Sequence, residues 1–181
     1  MRNRFDRAFS AMVLCVALAC AGGNALAQSG DERIVAAREA FRTGDRATLE
    51  RLATRGEDHP LAAYPSFWLL QNRLARPEPS PVAEIEAFLA ANAGTVVAER
   101  LRMSWLKKLS DEGDWTRVIR EHAALARPDD ASRCMLWRAR LENGDRSAVS
   151  EVSAQWLDFH IGDDEGPCND LLRSLAVRGL V

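Results

Sequence analysis

Four side chains able to hold a hard cation crowd into one short stretch, His160, Asp163, Asp164 and Glu165. Carboxylates bind calcium- or magnesium-like ions through oxygen, but this spacing matches no metal motif, and a solvated acidic turn accounts for it. The chain's other two histidines are equally modest. His122 falls on an apolar helical face, where a hydrogen-bonded core histidine is commoner than a catalytic one, and His59 precedes Pro60 in a turn. Asp129 and Asp130 adjoin just before a helix, where capping explains both. No GxSxG, HExxH or phosphate loop occurs. The five tryptophans (Trp68, Trp105, Trp115, Trp137 and Trp156) stand mostly at core spacing. A sugar-stacking platform is the alternative for one of them, with burial between helices as the default. Residues alone therefore assign no catalytic group, no cofactor and no metal.

Charge narrows the partners. Over 181 residues, 24 Lys and Arg face 26 Asp and Glu, a net −2, and the arginines are interleaved with acids. Phosphate backbones demand a basic excess, so nucleic acid is excluded as the main partner.

Residues 1–27 read as a secretory signal peptide. Arg2, Arg4 and Arg7 form the positive start, Ala8 to Ala19 the apolar run, and Ala25-Leu26-Ala27 the small–x–small cleavage site, so that the mature chain begins at Gln28. The apolar run is too short for a stable span. Once Arg2, Arg4, Arg7 and Asp6 leave, 21 basic and 25 acidic residues remain, a net −4. The alternative is an outer-membrane lipoprotein acylated at Cys20, because Ala17-Leu18-Ala19-Cys20 loosely resembles a lipoprotein processing site; a membrane contact is expected only in that case. With Cys15 and Cys20 removed, Cys134 and Cys168 remain. An even pair in an oxidising compartment favours a disulfide, with two buried free thiols as the alternative. A bridge closing about 35 residues would contribute roughly 3–4 kcal/mol.

The elements that must position these groups are helices. No stretch of the mature sequence alternates long enough for a strand, whereas helical spacing recurs, as in Ile34/Ala37/Phe41, Val97/Leu101/Trp105/Leu109, Trp115/Val118/Ile119/His122, Cys134/Trp137/Leu141 and Val149/Val152/Trp156. It predicts helices over 31–43, 46–55, 62–75, 81–92, 95–112, 115–125, 131–142, 146–158 and 168–178. Ser80 is expected to cap the fourth, with Pro81 at its first position and Glu84 in its first turn. Gly-Asp recurs at Gly44-Asp45, Gly113-Asp114 and Gly144-Asp145. The glycine can end one helix in the left-handed region and the aspartate can cap the next, which makes a hairpin. The spacings are near two periods and one period of about 31–35 residues, the range of helical-hairpin solenoids such as the tetratricopeptide class. The expectation is an all-α chain, with residues 28–181 forming a right-handed superhelix of hairpins.

Several segments then resemble a known family. His59-Pro60-Leu61 with Tyr64 and Trp68 is similar to the early helices of soluble lytic murein transglycosylases. The most specific segment runs from Phe88-Leu89 through Ala98-Glu99-Arg100-Leu101-Arg102 to Trp105-Leu106, Leu109 and Gly113-Asp114-Trp115. Cys134 with Arg138-Ala139-Arg140-Leu141 and Gly144-Asp145, and Trp156-Leu157 with Pro167-Cys168-Asn169-Asp170, extend the likeness over about residues 31 to 181. The resemblance implies a Cys134–Cys168 bond, a U-shaped superhelical scaffold, a periplasmic location and peptidoglycan as partner. The reaction it implies is non-hydrolytic cleavage of the MurNAc–GlcNAc β-1,4 bond to a 1,6-anhydro end. In that family the work is done by a Glu-Ser glutamate of a C-terminal lysozyme-like domain. This sequence holds no Glu-Ser dipeptide, so no catalytic residue carries over, and protonation of the glycosidic oxygen lacks an agent. The expectation is the N-terminal scaffold segment of such an enzyme, apparently truncated, lacking its C-terminal catalytic domain and inactive alone. A self-sufficient periplasmic adaptor that binds proteins is the rival. A carboxylate metal hydrolase using the acidic loop is a remote third.

Overall fold

The computed structural model describes residues 21–54, 58–155 and 166–180, with the backbone course alone for 21–29. Every regular element among them is a helix: α1 (Ala21–Thr43), α2 (Arg46–Ala53), α3 (Tyr64–Leu74), α4 (Val82–Ala91), α5 (Val96–Glu112), α6 (Trp115–Ala123), α7 (Asp130–Glu142), α8 (Ser147–Gln155) and α9 (Pro167–Val177). Each answers to one of the helices expected from spacing, with two informative differences. Helix α1 runs back to Ala21, through Ala25-Leu26-Ala27, because alanine and leucine are strong helix formers. Helix α4 starts at Val82 with Pro81 as its N-cap and no side-chain cap bond, so Ser80 is not the cap. Its N–H and hydroxyl instead donate to Glu112 at the end of α5, at 2.9 and 3.0 Å.

The three Gly-Asp joints close as expected. Gly44, Gly113 and Gly144 have φ of 72°, 74° and 87°. The following aspartate N–H reaches back to the carbonyls of Ala40, Leu109 and Arg140 at 2.8, 3.0 and 2.9 Å, the six-residue bond of a Schellman end. Asp45 and Asp114 then cap α2 and α6 by accepting from the Thr48 and Arg117 N–H groups. Gly179 repeats the glycine half of the device after α9, with φ 65° and Leu180 N–H bonded to the Leu175 carbonyl.

Two compact units divide between Leu69 and Leu70. In the first, Ala37 and Ala40 of α1 close on Leu49 and Leu52 of α2, with Trp68 and Leu69 packed against them. The buried Arg33 donates to the Leu52 carbonyl at 3.0 Å. In the second unit, α5 packs on α4, α6 and α7, and α7 packs on α6, α8 and α9. Leu101, Trp105, Leu106 and Leu109 of α5 are fully buried, each stabilising the fold by roughly 1.5–3 kcal/mol by area bookkeeping. Cys134, Trp137 and Leu141 of α7 meet Ala148 and Val152 of α8 and Leu171 and Leu175 of α9. Within that cluster Cys134 is bonded to Cys168, stapling α7 to α9.

Candidate functional site

The acidic stretch His160, Asp163, Asp164 and Glu165, together with Trp156, lies outside the described residues. Among the described residues no three His, Cys, Asp or Glu side chains gather as a metal site. The remaining sequence candidates take structural positions. His59 is fixed at both nitrogens: Nδ1 accepts the Leu61 N–H at 3.0 Å, so Nε2 carries the proton toward Asp31 at 2.9 Å. Asp129 caps α7 in a reciprocal box with Ser132, and Asp130 sits in the first turn. Trp105 and Trp137 are core, the latter donating to Glu151 at 3.2 Å. Trp115 is half-buried beneath the Arg138 guanidinium, 5.0 Å from the ring centroid. Trp68 lies parallel to Phe41 at 6.3 Å and tilted to Tyr64 at 5.2 Å.

Of the two described histidines, His122 is the one with an unmet demand. It is half-buried, and its Nε2 has no hydrogen-bond partner among the described residues. Burial pushes its pKa below the ordinary 6.5, with Arg133 adding to the effect and Asp129 opposing it. The imidazole is held neutral, which suits a packing role.

Electrostatics concentrate at the α7–α8 hairpin. Arg140 contacts Asp145 at 2.7 Å, Glu151 at 2.7 and 2.8 Å and Ser147 at 3.0 Å. Glu151 is held below the usual carboxylate range by Arg140 first and then by the Trp137 N–H. Asp145 is lowered by the Ser147 hydroxyl and by Arg140. A second chain of charge runs from Glu86 through Arg120 and the buried Glu121 to Arg102, joining α4, α6 and α5.

Among the described residues one hollow of about 470 Å³ lies between the start of α5 and the segment after α6, lined by Val96, Glu99, Arg102 and Arg127, and a trough runs across one face of α5, α7 and α9. Its main basin, about 410 Å³, is lined by Lys107, Ser110, Asp111, Met135, Asp170 and Arg173 where α9 begins. A smaller basin of about 240 Å³ continues it, sharing Asp170 and Arg173 and reaching Arg138 and Arg178. The Lys107–Asp111 and Arg173–Asp170 pairs, at 3.0 and 2.9 Å, could be read as helical charge pairs from their spacing. Their convergence from separate helices could not.

The basin places the Lys107–Asp111 and Arg173–Asp170 ion pairs beside the buried Met135. No protein-family model, curated protein or solved structure matches this chain. No helix among the described residues is long and apolar enough to cross a membrane.

Proposed function

We propose that the chain is the N-terminal scaffold segment of an exported lytic transglycosylase. In this reading it holds peptidoglycan glycan strands for chemistry carried out elsewhere, and it does not cut them itself. The observation that carries the reading is the agreement between the family-like residues and the hairpin joints. Gly113-Asp114 and Gly144-Asp145 form Schellman ends. Ala98 and Leu101 are buried, while Glu99 accepts the N–H groups of Ala126 and Arg127 beyond α6 at 2.8 and 3.2 Å. The residues that look like the family are thus the ones that shape and join helices. None supplies an acid in a cleft.

A tetratricopeptide-like, right-handed superhelix is part of the proposal. Its support in the second unit is the order of packing, each hairpin closing on itself and on the next. Gly179 adds to it, standing 35 residues after Gly144 and matching the sequence period. A periplasmic setting is proposed from the leader at residues 1–27, and the Cys134–Cys168 bond supports it, since such bridges persist in oxidising compartments. Acylation at Cys20 would move the same chain to the outer membrane.

The hairpin repeat pattern by itself also supports one other reading, a self-sufficient periplasmic adaptor for proteins. Repeat architecture alone does not choose a partner. Incubation of purified sacculi with the chain separates the two. The scaffold reading expects the chain to pellet with the sacculi and to release no anhydro-muropeptides. Failure to pellet would favour the adaptor, and released anhydro-muropeptides would overturn the claim of inactivity.

A further inference from the structure

We infer that the hollow between the start of α5 and the segment after α6 docks an acidic peptide segment of a partner protein, one that carries aliphatic side chains among its carboxylates. This goes beyond the glycan-scaffold reading and does not rest on it. The hollow, about 470 Å³, is lined by Arg100, Arg102 and Arg127 against the single acid Glu99. Glu99 is occupied, its Oε1 accepting the Ala126 and Arg127 N–H groups at 2.8 and 3.2 Å. The Arg102 side chain is 18% exposed and held at two points, Nε on Glu121 at 3.2 Å and Nη1 on the Ala124 carbonyl at 3.4 Å. Its Nη2 makes no bond, and the exposed guanidinium groups of Arg100 and Arg127 have no partner, among the described residues.

The lining selects the occupant. Counting Glu121 against Arg102 still leaves Arg100 and Arg127 facing one acid, a positive excess that the balanced ion pairs of the trough do not have. Arginine presents a planar fork matched to carboxylate oxygens, so the excess favours an anion of that shape. The anchored Arg102 has already lost rotamer freedom, which lowers the cost of receiving such a group. Val96, 65% exposed, lines the same hollow with Ala124 and Ala126, so apolar surface stands beside the cations. An inorganic anion would leave that surface and most of the volume unfilled. A phosphate backbone gains nothing from a chain of net −2 with no basic stripe. A peptide with carboxylates beside an aliphatic side chain meets both demands: the arginines attract it, and Val96 supplies contact area.

The test titrates the purified chain into a fluorescein-labelled peptide that alternates leucine with glutamate, read by fluorescence anisotropy. Saturable binding that weakens as salt rises is expected. The same peptide with glutamine in place of glutamate should bind about tenfold more weakly. Arg100→Gln combined with Arg127→Gln, both exposed side chains, should weaken binding of the acidic peptide by about tenfold, the loss of charge-assisted contacts. Lys107→Gln combined with Arg173→Gln removes the same charge from the trough and should leave binding as it is. No saturation at millimolar peptide, equal binding of the glutamine peptide, or equal loss in the trough variant overturns the site. Sacculi separate this from the scaffold reading. The Arg100→Gln/Arg127→Gln variant should pellet with them as the unaltered chain does; lost pelleting would give the hollow to the cell wall and overturn the partner peptide. If the unaltered chain binds the peptide but does not pellet, the scaffold reading falls and the docking site stands.

Discussion

Arg140 on α7 grips Glu151 on α8 with two parallel bonds, Nη1 to Oε2 at 2.7 Å and Nη2 to Oε1 at 2.8 Å. The same guanidinium reaches Asp145 through Nε at 2.7 Å. One side chain thereby ties together the end of one helix, the turn, and the body of the next. The fork geometry belongs to arginine and not to lysine.

Arg140→Ala should therefore destabilise the chain by about 1 kcal/mol, toward the low end for charge-assisted bonds because both acids remain partly exposed to screening solvent. Arg140→Lys should recover only part of this. Urea unfolding followed by circular dichroism reads the difference. The pH response follows from the two acids it holds below their ordinary 3.8 and 4.5. Their stabilisation is present above those values and is lost as pH falls through the depressed ones. Arg140→Ala should flatten the acid limb of stability in that window.

His122 predicts a second, milder acid response. Its pKa lies below 6.5 in the fold, so the unfolded chain binds the proton more readily. Stability is complete above 6.5 and declines as pH falls from there toward the folded value. His122→Leu should remove the slope that opens as pH falls below 6.5, measured as the urea midpoint against pH. An unchanged slope would assign it to other groups.

The Cys134–Cys168 bond closes 34 positions of sequence between helices already in contact. Reduction, or Cys134→Ala with Cys168→Ala, should cost roughly 3–4 kcal/mol. Melting curves with and without reductant read it, with loss concentrated in protection of α9 amides against hydrogen exchange.

Two glycines should separate by conformation. Gly113, at φ 74°, should lose about 1 kcal/mol on replacement by alanine. Gly166 has extended backbone and open space where a Cβ would stand, so Gly166→Ala should be near neutral. Thermal unfolding of both variants checks the contrast.

Much of this fold was legible because its signals are local. A Gly-Asp joint contains both the stop and the start of a helix, and i, i+4 apolar spacing such as Val97/Leu101/Trp105/Leu109 marks the face that all four residues bury. Ser80 was misread as a cap because its partner, Glu112, stands 32 residues away. Gly179 carries no such mark in the sequence, because Leu180 stands where the other joints have aspartate. The trough was illegible for a stronger reason. Lys107, Met135 and Asp170 belong to three helices, and only tertiary packing brings them to one basin.

Sedimentation of the chain with sacculi, before and after their glycan strands are digested, bears most directly on the scaffold assignment. Saturable pelleting with intact sacculi that disappears on digestion, with no anhydro-sugar product in either sample, is the expected result. A chain that stays in the supernatant with intact glycan, or that cuts it, contradicts the assignment.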